Sequence, residues 1–349
     1  MSDQYIFLSV FILSVGLGLV ARAIKFCTLA AIEAAFIGNN RDYFRMWLLA
    51  VAVAILSTHF LIYFYDLDLT NTHYLAERIA VGGAIIGGLM FGIGMAFVGT
   101  CSFGSLLRMA SGDMRGVFTS VLIGISGYAA IRGIGATSRL YVDDLTDIAL
   151  EEGQTASLMD NIFMNADTGT NMIIPISIAL IIAIWCFASK TFRKSPKIYL
   201  GGLVIGALIA AYWGVSGVMG YDEFDPQPPQ SYTFVSPLGG VISYMMLSTG
   251  LAAKISLFSV LGVIVGGFIA AWRRQELRLD AFDDAIEMRR HIFGSILMGC
   301  GGALAGGCTF GQGLTGLSTL SINSFLAFTS MVVGAIIGLK FIIGYYYKC

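Results

Sequence analysis

Two short stretches of this chain put one thiol among glycines in otherwise membrane-like sequence. They are Phe97-Val98-Gly99-Thr100-Cys101-Ser102-Phe103-Gly104 and Leu304-Ala305-Gly306-Gly307-Cys308-Thr309-Phe310-Gly311. A neutral cysteine is small and polarisable, a weak S–H donor and a weak acceptor. It can donate to a passing anion without holding it as Arg or Lys would. Glycines let helices break and backbones approach, so that half-helix N-termini with their partial positive charge face the same space. Such a path suits a soft, sulfur-bearing anion that must bind and then leave. Gly99, Gly104, Gly306 and Gly311 serve the backbone in this reading, and Ser102, Thr309, Ser111 and Ser318 add hydroxyl donors beside the thiols. A third thiol sits in Phe26-Cys27-Thr28, which aligns with Phe234-Val235-Ser236 and so lacks a cysteine partner in the second half. Cys27, Cys101 and Cys308 are therefore the candidate substrate-path residues. Cys186 and Cys300 lie on ordinary helix faces, and Cys349 is the last residue.

Other cysteine chemistry is disfavoured. The six cysteines form no CxxC pair and there are only three histidines, so neither a zinc or iron-sulfur site nor thioredoxin-type redox spacing is present. No cofactor and no metal are expected. His59, His73 and His291 stand apart in sequence and receive no role.

The elements that must position these residues follow from composition. Hydrophobic residues make up 56% and charged residues 12%, with a mean hydropathy of +0.78, against roughly 25% charged in a soluble domain. This is an all-helical integral membrane protein. Uncharged runs long enough to cross the roughly 30 Å hydrocarbon layer predict nine crossings, near 5–26, 46–65, 79–99, 116–135, 172–190, 198–218, 255–272, 291–307 and 322–345. Four apolar pieces, near 27–37, 102–112, 237–249 and 309–319, are too short to cross and read as half-helices, which need protein or a cavity to satisfy their backbone. Met1-Ser2-Asp3-Gln4 has no basic n-region, so the first crossing reads as retained. The formal net charge of −1, without a basic tail, argues against nucleic acid as a partner.

Aligning 92–111 with 299–318 gives nine identities, and Gly87/Gly294 and Gly127/Gly334 extend the match at the same offset. Sixteen Lys and Arg, among them Arg22, Lys25, Arg108, Arg115 and Arg278, fall in segments on one side of the predicted membrane. Four fall on the other: Arg78, Arg132, Arg139 and Lys254. That bias predicts an outside N-terminus and an inside C-terminus. It also turns the two cassettes opposite ways, as inverted repeats. A first membrane repeat spans 1–135, an acidic external loop with Asp143, Asp144, Glu151 and Glu152 spans 136–171, and a second repeat spans 172–349. A second acidic, proline-rich loop, 219–236, is also external. In transporters built from inverted repeats the substrate site lies where broken helices meet near the bilayer midplane.

Charged groups near this path divide between roles. Glu33, in the short piece after Cys27, is expensive in a membrane unless it faces a cavity or a partner. It either pairs with Arg22 or Lys25 or takes part in gating or proton handling. Arg108, seven residues after Cys101, and Lys254 read first as interfacial cations that help fix topology, and otherwise as charges that attract an anion.

The Phe26-Cys27 segment and the two cassettes together resemble the YeeE/YedE family of bacterial inner-membrane sulfur-compound transporters, over essentially the whole chain. That resemblance implies an hourglass-shaped bundle of nine crossings and four short helices. It implies uptake of thiosulfate through a narrow centre lined by Cys27, Cys101 and Cys308, passed on by S–H hydrogen bonds without disulfide formation. It also implies a cytoplasmic sulfur-carrier partner of the TusA type. Members are linked to other sulfur species and to selenium as well. A membrane thiol oxidoreductase, or a membrane subunit without transport activity, are the other classes the composition admits.

Overall fold

The computed structural model describes residues 3–150, 155–158, 170–220 and 227–346. Fourteen helices are labelled in chain order: α1 Asp3–Ile24, α2 Thr28–Phe36, α3 Asp42–Tyr65, α4 Gly88–Val98, α5 Ser102–Ala110, α6 Met114–Arg132, α7 Ala136–Thr146, α8 Thr170–Phe187, α9 Lys190–Arg193, α10 Pro196–Trp213, α11 Val235–Leu247, α12 Ile255–Arg273, α13 Ala285–Leu304 and α14 Ile322–Tyr346. Wider π-helical turns precede α4 at Gly83–Gly87 and extend α10 at Gly214–Met219. A further short helix, 309–318, has a π-helical middle at Gly311–Gly316.

Seven segments are long and apolar enough to cross a membrane, namely α1 with α2, α3, the 83–110 stretch, α6, α10 with its π turn, α12 and α14. The two remaining predicted crossings are also helices. α8 has a shorter apolar run, Met172–Phe187, with Pro175 inside it. α13 opens on Glu287, Arg289 and Arg290, which dilute its apolarity, before a buried glycine-rich half. The four predicted short pieces are α2, α5, α11 and 309–318.

Part of the 136–171 segment is structured. α7 has no buried residue, but Asp147–Ala149 pairs antiparallel with Arg78–Ala80 (β1 and β2), and Ser157 bridges to Ser321. Burial pushes the carboxyls of Asp143 and Asp147 above the usual range. Glu151 and Glu152 lie outside the described residues, as do 221–226 of the second acidic loop, Lys348 and Cys349.

Packing is two-fold. α1 packs on α12 as α10 packs on α3; α4 packs on α14 as α13 packs on α6; and α2 packs on α14 as α11 packs on α6. The pairing sets α1–α6 against α10–α14 with 309–318, leaving α7, α8 and α9 without counterparts. The axis passes through the α4–α13 crossing. A Cβ on Gly87 would sit 2.7 Å from the Gly301 carbonyl oxygen, and one on Gly94 2.6 Å from that of Gly294. An offset of 207 residues turns each contact into the other. Because Gly87 meets Gly301 while Gly94 meets Gly294, α4 and α13 run antiparallel. The helices that lead into the two cassettes thus approach from opposite ends, and only glycine lets them come this close.

Candidate functional site

Each of the three candidate cysteines stands at the start of a short helix, preceded two residues earlier by a left-handed residue. Those residues are Lys25 (φ 55°), Gly99 (φ 75°) and Gly306 (φ 69°). The left-handed residue ends the long helix, as at Gly99, whose amide bonds back to Met95. The chain then extends through cysteine (φ −148°, ψ 128° at Cys27; φ −87°, ψ 171° at Cys101) and re-enters a helix. Cys101 Sγ accepts from the Gly104 amide at 3.4 Å and Cys308 Sγ from the Gly311 amide at 3.3 Å. The sulfur thus caps the helix in the role usual for serine, which leaves its S–H free to donate elsewhere. Cys27 has no such capping bond; its Sγ lies 3.8 Å from Thr100 Oγ1.

The three helix N-termini converge on a cluster of phenylalanines, all buried. Ring centroids are 4.7 Å apart for Phe103–Phe310, 4.9 Å for Phe103–Phe234, 5.3 Å for Phe234–Phe310 and 6.2 Å for Phe26–Phe310. Phe103 and Phe310 are counterparts in the two halves, as are Phe26 and Phe234, and the Phe234 side is the tighter one, since Phe103–Phe234 at 4.9 Å corresponds to Phe26–Phe310 at 6.2 Å. Apolar faces contribute the seal, and edge-on geometry adds to it.

Two cavities open on opposite ends of α12, whose 19 residues span about 28 Å at 1.5 Å each. The Lys254 cavity, about 690 Å³, is lined by Lys254, Arg139, Tyr74, Thr233, Gly306 and Gly307, among others. The Arg22 cavity, about 660 Å³, is lined by Arg22, Lys25, Cys27, Thr100, Gly104 and Arg108, among others. Cys27 therefore reaches the Arg22 cavity directly, and Cys308 is the residue after the Gly306-Gly307 lining of the other. Cys101 lies one residue past Thr100, and a Cβ on Gly104 would be 3.6 Å from the sulfurs of both Cys101 and Cys27. The structure thus brings Cys27 and Cys101 together around one glycine and holds Cys308 on the far side of the rings.

With this geometry in view, the comparisons with known proteins are decisive. The sequence matches the family described as sulphur transport over residues 24–337. The chain belongs to that family. It is 26% identical over 259 residues to the Thiosulfate transporter TsuA of Spirochaeta thermophila, covering 72% of this chain and 75% of that protein. It is 23% identical over 344 residues to the Thiosulfate transporter TsuA of Escherichia coli, covering 91% and 89%. This is a multi-pass membrane protein of sulfur-anion transport, and the matched region holds all three cysteines.

The supporting residues fare differently. Ser102 and Thr309, each directly after a cassette cysteine, are fully buried, and neither hydroxyl has a hydrogen-bond partner among the described residues. Arg108 donates to the Gly99 carbonyl at 3.0 Å, so it braces the cassette while lining the cavity. Ser111 Oγ donates back to the Arg108 carbonyl and Ser318 Oγ to that of Thr315, so both are held within their own helices. Of the two readings of Glu33, pairing with Arg22 or Lys25 is not what the structure shows. Arg22 pairs instead with Glu276 at 3.2 Å, because the segment after α12 returns beneath the end of α1. Glu33 is exposed on α2 and makes no ion pair among the described residues.

Cys186, whose thiol donates to the Arg45 carbonyl, and Cys300 lie away from the rings, and the five described cysteines are all free. No cluster among the described residues could hold a metal. Sequence reasoning missed Thr233, Tyr74 and His73. His73 Nε2 lies 3.1 Å from the Gly306 carbonyl. These residues sit in connections remote from the cassettes, and the one available signal was the alignment of Thr233-Phe234 with the segment before Cys27.

Proposed function

We propose that this protein takes up thiosulfate, or a closely related sulfur oxyanion, across a bacterial inner membrane, with its N-terminus outside and its C-terminus in the cytoplasm. In that orientation the Lys254 cavity is the outer vestibule and the Arg22 cavity the inner one. The anion enters beside Lys254, meets the Cys308 S–H, passes when the phenylalanine rings part, and is taken up by Cys101 and then Cys27. Helix N-termini at all three cysteines offset its charge without binding it tightly. The observation that carries this reading is the convergence of three short helices that start at cysteines, two of them capped by the sulfur, on one aromatic cluster, with a cation-lined cavity at either end of α12.

Weak donors suit the task, since conduction needs binding favourable enough to enter and weak enough to leave. No disulfide is required at any step. The names of the two relatives support thiosulfate as the ion. The inner vestibule, rimmed by Arg22, Lys25 and Arg108, fits release to a TusA-type sulfur-carrier protein, the partner that the family resemblance implies.

The test is growth of a thiosulfate-uptake-deficient bacterium on thiosulfate as sole sulfur source, backed by uptake of radiolabelled thiosulfate. Wild type restores growth, and Cys27→Ala, Cys101→Ala and Cys308→Ala each abolish or strongly reduce it. Full growth of all three variants removes the thiol relay. No uptake by well-expressed wild type removes thiosulfate.

A further inference from the structure

The two halves differ most where their donors meet the seal. On the Arg22 side, Cys27, Cys101 and Thr100 gather around Gly104. The two-fold mate of Gly104 is Gly311, and the mate of Cys27 is Val235, so the other side is one thiol short. Its place is filled from elsewhere in the chain. A Cβ on Gly311 would lie 2.7 Å from Thr233 Oγ1 and 3.4 Å from the Tyr74 hydroxyl, while the Gly311 amide itself donates to Cys308 Sγ at 3.3 Å. Three O–H and S–H groups thus converge on one buried glycine, and two of them, Tyr74 and Thr233, line the Lys254 cavity.

Tyr74 is 2% exposed, and its hydroxyl has no hydrogen-bond partner among the described residues. Buried hydroxyls are almost always satisfied in native proteins, so an orphan in a cavity lining marks a place where a ligand completes the set. Its ring is fixed edge-on to Trp213 at 6.2 Å, and its carbonyl accepts from Ser321 Oγ at 2.6 Å. The orphan is therefore a positioned group and not a loose one. Burial, and next the neighbouring Cys308, push this hydroxyl above its ordinary value, which keeps it a proton donor.

We propose that Tyr74, Thr233 and Cys308 form an outer subsite for a sulfur oxyanion, in which the two hydroxyls take its oxygens and the thiol its terminal sulfur. The proposal rests on the uptake reading and adds a selectivity element to it. An O–H donor is harder than S–H and prefers oxygen, so a mixed set reads the two ends of the ion apart. The inner set has two thiols and one hydroxyl, and therefore holds the sulfur end more than the oxygens.

The test uses the full-length protein, in proteoliposomes for thiosulfate uptake and in detergent for equilibrium binding of radiolabelled thiosulfate. Loss of one charge-assisted hydrogen bond corresponds to roughly a tenfold loss of affinity. Tyr74→Phe and Thr233→Val are each expected to raise KM and the dissociation constant about that much, with kcat near wild type. Thr233→Ser, which keeps the donor, is expected to restore both. If wild type imports thiosulfate and both hydroxyl-free variants keep its KM and its binding, the subsite is wrong and the uptake reading stands. Should a variant prove unstable, the Thr233→Val against Thr233→Ser comparison decides, because equal KM for those two equally stable proteins refutes the donor role. Wild type that neither binds nor imports thiosulfate overturns both proposals.

Discussion

Replacing Phe310 with alanine separates the seal from the thiols. Phe310 is 1% exposed and touches every other ring of the cluster, with Phe103 at 4.7 Å, Phe234 at 5.3 Å and Phe26 at 6.2 Å. Truncating a buried phenylalanine to alanine costs about 3–5 kcal/mol. The two nearest ring pairs, at about 0.5–1.5 kcal/mol each, supply about 1–3 kcal/mol of that. The lost volume lies at the centre of the ring cluster, so if these rings close the path, the same change that loosens packing is expected to let water and small ions through.

Removing even about 1.4 kcal/mol of the barrier to leakage raises its rate roughly tenfold. The assay is thermal unfolding in detergent together with sulfate and chloride leakage from loaded proteoliposomes, with Phe310→Leu as the control that keeps bulk without the ring. Phe310→Ala is expected to melt well below wild type and to leak, and Phe310→Leu to melt slightly lower and stay sealed. An alanine variant as tight to both ions as wild type would refute the idea that these rings close the path, whatever its melting temperature.

Three further expectations follow from particular contacts. The Cys186→Ala, Cys300→Ala double variant is expected to import thiosulfate like wild type, since neither thiol lies near the rings, and loss of uptake in radiotracer assays would move the path elsewhere. Gly94→Leu places a side chain where a Cβ already meets the Gly294 carbonyl oxygen at 2.6 Å. It is expected to destabilise by about 1–3 kcal/mol or more, read as a lowered melting temperature, whereas Gly240→Ala, with open space around it, is expected to leave it unchanged. Burial raises the carboxyl of Asp143 above its unfolded value, so the stability it lends is present below the usual carboxylate range and is lost as pH rises through the raised value. Amide exchange in 136–149 is therefore expected to be slower, after correction for intrinsic rates, at pH 4 than at pH 7, and Asp143→Asn is expected to reduce the difference, with the remainder carried by Asp147.

The sequence alone carried the class, the helices and the thiols. Uncharged runs are long-range signals that need no partner to read, because the bilayer's thickness sets their length. For that reason the nine predicted crossings and four short helices all appear as helices at nearly the predicted bounds. The cassettes were legible because a repeated cysteine among repeated glycines stands out from ordinary core composition. Even the antiparallel run of α4 and α13 was implied, since charge bias alone turned the two cassettes opposite ways.

What only the tertiary structure decided is which residues stand beside the thiols. Tyr74 and Thr233 come from two connections far apart in the chain and meet at Gly311, whose amide bonds to Cys308, only in the folded structure. Pairing of Glu33 with Arg22 or Lys25 was one of two readings open in the sequence, since local spacing cannot show that Glu276 returns from the end of α12 to take Arg22. The four phenylalanines look like any membrane aromatics in the sequence and are brought into one cluster only by the fold. Hydrophobic length and repetition are properties of a segment. Donor sets, ion pairs and seals belong to a meeting of segments, and close glycine packing sets where those meetings occur.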